Sequence, residues 1–290
     1  MSAARSASLL LDGTIGVNFK MSLSDAIVES PTAQAVFVYK NREYPVNIAG
    51  MTPDDQGRYV FTYRIPAKEF ANTIGLKFVD NGEIIPMQMP DGTPVEGNIL
   101  NYSAQTYCEK VPESYAVKPL TDALWNYCAW AYQGLEDTTD TQPTFADGGD
   151  VSTVTAADLE PYKSGKTGSV EGLTLKTYSL TLETTTEVNL KFELASGYDI
   201  GEYTFTLDGA AVSPVKSGQY WVVIIPDIAA KNLDNMHTLT VTRGGETLTV
   251  TCSGLSYGYA VLANNLLTEE MRNTIRALYL YNRAADAYFG

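Results

Sequence analysis

The sequence contains a divergent internal repeat, and a repeat constrains the fold of a chain more strongly than its composition does. Residues 57–66, GRYVFTYRIP, match residues 218–226, GQYWVVIIP, in a Gly-x-Tyr opening, an apolar strand and a closing proline. Residues 123–127, ALWNY, match residues 277–281, ALYLY. Two matches in the same order, at separations of roughly 155 to 160 residues, indicate that one architectural unit is duplicated.

Each half reads as short strands followed by helices. Residues 14–23 alternate between apolar side chains on one face and smaller or polar ones on the other, which predicts a half-buried strand. The closing prolines Pro66 and Pro226 should mark strand ends, because proline cannot donate to a ladder. Tight hairpin turns are predicted at Asn81-Gly82, Asp91-Gly92, Asp208-Gly209 and Gly244-Gly245.

Two helices are predicted at the end of each half, and residues 102–107 are aligned with residues 257–262 at the start of the first helix. The second helix of each half carries a broad apolar stripe, which requires a partner surface; we expect that partner to be the preceding helix and a sheet face. The stripes consist of Leu120, Leu124, Tyr127, Cys128 and Ala131, and of Ile275, Leu278, Tyr279, Ala285 and Phe289.

The predicted fold class is therefore α+β and mainly β, with two tandem antiparallel β-sandwich modules that are each closed by a C-terminal helical hairpin. The modules are placed at residues 8–135 and 169–290. Residues 136–168 form the connection, where Thr155 and Asp158 have the spacing of a capping box and predict a short helix.

The charge balance disfavours two classes of partner. With 34 Asp and Glu against 20 Lys and Arg, the formal net charge is -14, and such a surface repels phosphate backbones and anionic headgroups. No apolar run reaches the length of about 18 residues that a membrane-spanning helix needs. We therefore expect neither nucleic-acid binding nor membrane insertion.

The residues that most often carry nucleophilic or redox chemistry are few. The single histidine, His237, lies where a loop enters a strand and is interpreted as a strand-start residue. The three cysteines match no zinc or C-x-x-C spacing. Cys108 and Cys128 fall in the two helices of one predicted hairpin and could form a disulfide, although small buried thiols are the favoured interpretation.

Carboxylates leave two alternatives open. No cofactor is expected, and calcium is the alternative left open, with Asp147 and Asp150 as candidate ligands in an acidic connection that also contains Asp137, Asp140 and Asp158; their spacing is not that of an EF-hand. A glycoside hydrolase needs two carboxylates that can come from distant positions, so the sequence leaves that activity open as well.

The aromatic residues, 19 Tyr, 9 Phe and 3 Trp, supply candidate sugar-binding platforms, since aromatic rings present a large apolar face. Trp125 and Tyr132 lie to one side of the first helical stripe, and with Trp221 they are the candidate ligand-binding residues. The alternative is that Trp125 and Tyr132 cover a neighbouring helix or the sheet rim and that Trp221 belongs to the core.

The residue patterns resemble repeats found in large surface proteins of Clostridia-type anaerobic bacteria. The resemblance is carried by residues 57–69, 124–131, 154–162 and 277–289 and spans nearly the whole chain, but its motifs are structural and name no active site. It implies an extracellular or cell-surface accessory region that is joined to neighbouring domains of a larger polypeptide.

The function predicted from the sequence is that of a non-catalytic accessory module. Such a module would bind a protein or glycan at the cell surface, or would act as a spacer or scaffold on the bacterial envelope. The first alternative is a dedicated carbohydrate-binding module, and the second is a glycoside hydrolase with dispersed carboxylates. Aligned exposed aromatics would favour the first, and carboxylates that converge in a deep cleft would favour the second.

Overall fold

A computed structural model describes residues 2–135 and 140–290 of the chain. The described residues are mainly β, in several antiparallel sheets, with helices near the end of each half. The prediction of a mainly β, α+β chain is confirmed at this level.

The first half contains a sheet in the order β5-β2-β1-β8, antiparallel except for a two-residue parallel pairing between β1 and β8. Strand β2 buries Ile15, Val17, Phe19 and Met21, as the alternating pattern predicted. The four strands are β1 (Ser2–Leu11), β2 (Ile15–Leu23), β5 (Tyr59–Ile65) and β8 (Met87–Gln88).

A second sheet of the first half has the order β4-β3-β6-β7, and β9 also pairs with β6. Ring contacts connect this sheet with the first one: Phe61 on β5 lies edge to face against Phe78 on β6, with centroids 5.4 Å apart. The two sheets therefore share an aromatic core. The strands are β3 (Gln34–Tyr39), β4 (Arg42–Asn47), β6 (Ile74–Asp80), β7 (Glu83–Ile84) and β9 (Leu100–Tyr102).

Part of this strand order recurs in the second half: β16-β12-β11 corresponds to β5-β2-β1 and β14-β13-β17-β18 to β4-β3-β6-β7, whereas β8, β9, β10 and β15 have no paired counterpart. One sheet runs β11-β12-β16-β15 and the other runs β10-β18-β17-β13-β14. Phe192 on β12 and Phe205 on β13 form the contact between them, with centroids 6.0 Å apart. The strands are β10 (Gly165–Gly168), β11 (Leu173–Leu182), β12 (Thr186–Leu194), β13 (Thr204–Leu207), β14 (Ala210–Ala211), β15 (Val215–Ser217), β16 (Tyr220–Ile225), β17 (His237–Arg243) and β18 (Glu246–Cys252).

A shared irregularity marks the corresponding first hairpins. The β1–β2 register shifts between Ala4 and Ser6, and the β11–β12 register shifts between Leu175 and Thr177. In both hairpins the shift lies seven residues from the turn-proximal end of the first strand, counted to Leu11 or Leu182. A β-bulge bends and twists a strand, and here it interrupts both hairpins at the same distance from the turn.

The strand-end predictions and three of the four turn predictions, Asn81-Gly82, Asp208-Gly209 and Gly244-Gly245, agree with the structure, whereas Asp91-Gly92 lies in a longer loop between Gln88 and Pro94. Strands β5 and β16 end one residue before Pro66 and Pro226. Short 3₁₀ turns follow at Ala67–Glu69 and Ala230–Asn232. Paired strands extend beyond the module boundaries placed at residues 8 and 169, because β1 begins at Ser2 and β10 pairs with β18.

The helices differ from expectation in what they pack against. The long helices α3 and α6 pack mainly on each other, across the two halves, and each has a smaller contact with its preceding helix. The predicted stripe of α3 is buried throughout, whereas in the α6 stripe Tyr279 is half-buried and Phe289 is exposed. The helices are α1 (Asp25–Val28), α2 (Ala104–Glu109), α3 (Lys118–Gly134), α4 (Ala156–Leu159), α5 (Gly254–Ala263) and α6 (Glu269–Phe289).

The serine residues that cap α2 and α5 indicate a different alignment of these two helices from the one predicted from the sequence. Ser103 precedes α2 and accepts a hydrogen bond from the Thr106 backbone, and Ser253 precedes α5 and accepts one from the Ser256 backbone. Ser103 therefore corresponds to Ser253, and the alignment of residues 102–107 with 257–262 is displaced by five residues. The capping box predicted in the connection is present at α4.

Candidate functional site

An exposed hairpin positions the first part of the candidate site. Lys40 and Asn41 join β3 to β4 with φ values of 47° and 60°, the two left-handed residues that a two-residue hairpin turn requires. Tyr39 is the last residue of β3, and its side chain is buried. Tyr44 follows on β4, whose side chains are all exposed.

Three tyrosines meet beside this hairpin. Tyr63 lies on β5 in the facing sheet, and its ring centroid is 5.0 Å from that of Tyr39 and 5.7 Å from that of Tyr44. Tyr39 is buried, Tyr63 is half-buried and Tyr44 is 39% exposed, so the group runs from the core to solvent.

The tyrosines line an open cleft of about 470 Å³, which we call the tyrosine cleft. Two of its residues, Glu183 and Thr184, come from the β11–β12 turn, so the cleft lies where the two halves meet. The lining residues are Tyr39, Lys40, Arg42, Tyr44, Tyr63, Arg64, Pro66, Glu69, Glu183 and Thr184.

The basic side chains of the tyrosine cleft differ in whether they form ion pairs. Arg64 pairs with Asp12, Nη1 to Oδ1 at 2.7 Å, and Lys40 contacts both Glu69 and Asp140. Arg42 is exposed and has no ion pair with the residues that the structure describes. Its guanidinium therefore faces solvent with its donors available to a ligand.

Burial raises the pKa of two phenols of the cleft, those of Tyr39 and Tyr63. Desolvation, together with the neighbouring Tyr44, raises the pKa of Tyr63 to about 12. Burial raises the pKa of Tyr39 further, and the carboxylate of Glu69 acts in the same direction. Both side chains therefore remain neutral hydrogen-bond donors at neutral pH.

A buried polar group stands behind the cleft. Tyr39 donates its hydroxyl proton to Glu69 Oε2 at 2.5 Å, and Asn72 Nδ2 donates to the Tyr39 hydroxyl at 3.0 Å. Asn72 Nδ2 also lies 2.7 Å from Asp140 Oδ1, and its own Oδ1 accepts from the Thr141 backbone at 2.7 Å. These bonds fix Tyr39 and attach the start of the connection to the first half.

The aromatics singled out from the sequence lie elsewhere. Trp125 is half-buried and donates its indole N–H to the Thr144 carbonyl at 2.7 Å, while Tyr132 donates to the Asp140 carbonyl at 3.3 Å. Both side chains thus cover the connection. Trp221 is half-buried on β16, with Lys216 Nζ 5.1 Å from its ring centroid. None of the three lines the tyrosine cleft.

The acidic residues of the connection separate in space and role. Asp147 is exposed, and Asp150 accepts a hydrogen bond from the Ser152 backbone at 2.8 Å. Asp158 caps α4, and Asp140 joins the buried group around Asn72. Asp137 lies outside the described residues. Within residues 2–135 and 140–290 no three Asp, Glu, His or Cys side chains form a group that could hold a metal ion.

The cysteines and the histidine serve packing and turn structure. Cys108, Cys128 and Cys252 are free and buried, so Cys108 and Cys128 form no disulfide in this structure. Burial raises the pKa of all three thiols, that of Cys252 to about 12, which keeps them in the unreactive thiol form. His237 begins β17, and its Nδ1 lies 2.7 Å from Asp208 Oδ2.

The tyrosine cleft was not found from the sequence. The one available signal was that Tyr63 belongs to the repeated segment 57–66 and that Tyr39 and Tyr44 flank a short hairpin. Neither feature places the three side chains together, because Tyr63 is on a different sheet.

No protein-family model matches the sequence, and no curated protein matches it at a significant level. The described helices include none that is both long and apolar enough to cross a membrane.

Proposed function

We propose that this protein is a non-catalytic accessory module of the bacterial cell surface that binds a glycan in the tyrosine cleft. The observation that carries the proposal is the approach of Tyr39, Tyr44 and Tyr63 to one another in an open cleft with polar and charged walls. Aromatic faces pack on the apolar faces of sugar rings, and the surrounding donors and acceptors orient hydroxyl groups.

The walls of the cleft supply both kinds of hydrogen-bonding group. Arg42 and Arg64 are donors and Glu183 is an acceptor, and all three are exposed at the cleft. Neutral tyrosine hydroxyls both donate and accept. A polyhydroxylated ligand has the same mixed character, which supports a glycan over an apolar ligand.

The proposed architecture is a pair of tandem β-sandwich modules, each ending in two helices. It is supported by the part of the strand order that the two halves share, by the bulge at the same place in β1 and β11, and by the aromatic contacts between facing sheets. The packing of α3 on α6 joins the modules, so that the chain also acts as a semi-rigid spacer between neighbouring domains.

A surface location is supported by the acidic composition and by the resemblance of residues 57–69, 124–131, 154–162 and 277–289 to bacterial surface repeats. The non-catalytic assignment is supported by the engagement of the chemically reactive residues. Glu69 is held by Lys40 and Tyr39, and the three cysteines are buried thiols.

A glycan array probed with the 290-residue protein, followed by calorimetric titration of any positive glycan, tests the proposal. Tyr44→Ala and Tyr63→Ala should each weaken binding by about tenfold or more, as loss of an aromatic anchor typically does. Tyr115→Ala is the matched control, because Tyr115 is 60% exposed and does not line the cleft.

Two results would contradict the proposal. Binding that survives both cleft substitutions would place the ligand elsewhere, and silence across the array would leave protein binding or spacing as the function. Release of reducing ends from a bound glycan, abolished by Glu69→Gln or Glu183→Gln, would instead indicate a glycoside hydrolase.

A further inference from the structure

Lys40, Asp140 and Glu69 form a compact ionic triad at the wall of the tyrosine cleft, where Lys40 and Glu69 line the cleft and Asp140 does not. Lys40 Nζ lies 2.6 Å from Asp140 Oδ1 and 2.7 Å from Glu69 Oε1. The Asp140 side chain is fully buried, and the Lys40 side chain is 39% exposed. One amine is therefore held against a desolvated carboxylate with a second carboxylate beside it.

The two Asp140 oxygens have different surroundings. Oδ1 accepts from Asn72 Nδ2 at 2.7 Å and forms the ion pair with Lys40, whereas Oδ2 is buried without a hydrogen-bond partner among the described residues. A buried carboxylate oxygen that lacks a partner is costly, because it has given up its hydration without compensation. The ion pair with Lys40 involves Oδ1 and therefore does not account for the burial of Oδ2 without a partner.

We propose that Lys40 and Asp140 condense to an intramolecular isopeptide bond. The Lys40 nitrogen bonds to the Asp140 carboxyl carbon, the carbon–Oδ2 bond breaks, and Oδ2 leaves as water. The ammonium has three hydrogens, of which the amide keeps one. Glu69 relays the other two to Oδ2 and ends as the carboxylate it was at the start, so no oxidant or reductant is needed.

Each neighbouring group has a part in this reaction. Asn72 Nδ2 donates to the oxygen that becomes the amide carbonyl, which stabilises negative charge on Oδ1 during the attack. Because the fold holds the Lys40 amine against the Asp140 carboxyl group, the reaction needs no bimolecular encounter. Well-oriented intramolecular reactions reach effective molarities of about 10⁵ to 10⁸ M. The exposed part of Lys40 lines the cleft, which gives the released water a route to solvent.

The bond would attach the β3–β4 turn covalently to the start of the connection between the halves. Such a cross-link stiffens a spacer by shortening the chain that can extend under load. The proposal does not depend on a glycan ligand, because the reacting groups are all within the chain.

Intact mass spectrometry of the denatured 290-residue protein, purified after folding at neutral pH, tests the cross-link. The wild-type protein should weigh one water less than its sequence predicts. The Lys40→Arg variant should have the full mass of its own sequence. Trypsin should leave Lys40 uncleaved and join residues 21–42 to residues 111–163 in one product. Glu69→Gln should restore the full mass or slow the loss of water strongly.

Lys77→Arg is the matched control, since Lys77 forms a 2.6 Å ion pair with Glu43, whose side chain is 59% exposed. That variant should retain the water deficit. A wild-type protein of full mass after prolonged incubation in the folded state overturns the proposal and shows an ordinary ion pair. A deficit that persists in Lys40→Arg overturns it as well. The wild-type measurement decides the matter even where a variant does not fold.

Discussion

Tyr127 and Tyr281 stack face to face across the two halves, with ring centroids 5.7 Å apart and ring planes 12° from parallel. Tyr127 closes the ALWNY segment of α3, and Tyr281 closes the matching ALYLY segment of α6. Equivalent positions of the repeat thus meet each other. Both side chains are buried, in helices that pack on each other across the two halves.

Removing either ring should destabilise the whole chain. We expect Tyr127→Ala to lower the free energy of unfolding by about 3 to 5 kcal/mol, because it leaves a cavity between α3 and α6. Urea denaturation followed by circular dichroism measures this change. Tyr115→Ala, at a 60% exposed side chain, should stay within about 0.5 kcal/mol of the wild type. A similar small effect of Tyr127→Ala would contradict a central role for the stack.

A turn from the first half makes a second close contact with the second half. Gly13, with φ of 96°, joins β1 to β2, and its carbonyl accepts a hydrogen bond from the Thr186 backbone at 3.1 Å. A Cβ atom at Gly13 would lie 2.7 Å from the carbonyl carbon of Asp227, which is backbone and cannot rotate away. Glycine is therefore required at this position for close approach as well as for its positive φ.

Gly13→Ala should accordingly be more harmful than an alanine at a comparable but open turn. Gly50 has φ of 83°, and a Cβ atom added there would have no described neighbour within 4 Å, so Gly50→Ala isolates the cost of the backbone conformation. We expect Gly13→Ala to lower the unfolding free energy by about 1 to 3 kcal/mol more than Gly50→Ala does. If Gly13→Ala and Gly50→Ala lowered the melting temperature equally, the close contact between Gly13 and the Asp227 backbone would not require glycine.

Local features of the fold were predictable from the sequence. The alternation of residues 14–23 and the prolines after β5 and β16 report backbone conformation directly, since each acts within a few neighbouring residues. The spacing of Thr155 and Asp158 likewise located α4. The repeat itself predicted that Tyr127 and Tyr281 would occupy equivalent places, but not that they would touch.

Long-range choices were not predictable in the same way. An apolar stripe shows that a helix needs a partner without identifying it, and here α3 packs on α6 instead of mainly on α2. The candidate site was missed for the same reason. Tyr39 and Tyr63 are 24 positions apart and come together only because their sheets face each other. Trp125 looked exposed by helical geometry, but the connection folds back over it and accepts its N–H.

The cysteines should be inert in the folded protein. Burial raises the pKa of Cys108, Cys128 and Cys252, so the reactive thiolate is scarce and access to it is blocked. Brief treatment with iodoacetamide at neutral pH should leave the native protein unmodified, and the same treatment in denaturant should alkylate all three. Mass spectrometry counts the added groups. Two unreactive cysteines in denaturant without reductant would reveal a disulfide.

The pairing of Asp12 with Arg64 should make part of the stability depend on pH. Hydrogen bonds from the Arg64 guanidinium lower the pKa of Asp12 from 3.8 to about 2 in the folded state. Between these values the unfolded chain binds more protons than the folded one, so the stabilisation is present above pH 3.8 and is lost as the pH falls through 2. The pair is exposed to solvent, so the effect should be small and should weaken with added salt.

Asp12→Asn isolates this contribution from other carboxylates. The Arg58 guanidinium also lowers the pKa of Asp54 to about 2, so the wild type alone would report both pairs together. The melting temperature of Asp12→Asn should be below that of the wild type at neutral pH, and the difference should shrink towards zero as the pH approaches 2. A difference that stays constant over this range would contradict a charge-dependent contribution, because protonated aspartate and asparagine both offer Thr14 and Arg64 only a neutral acceptor.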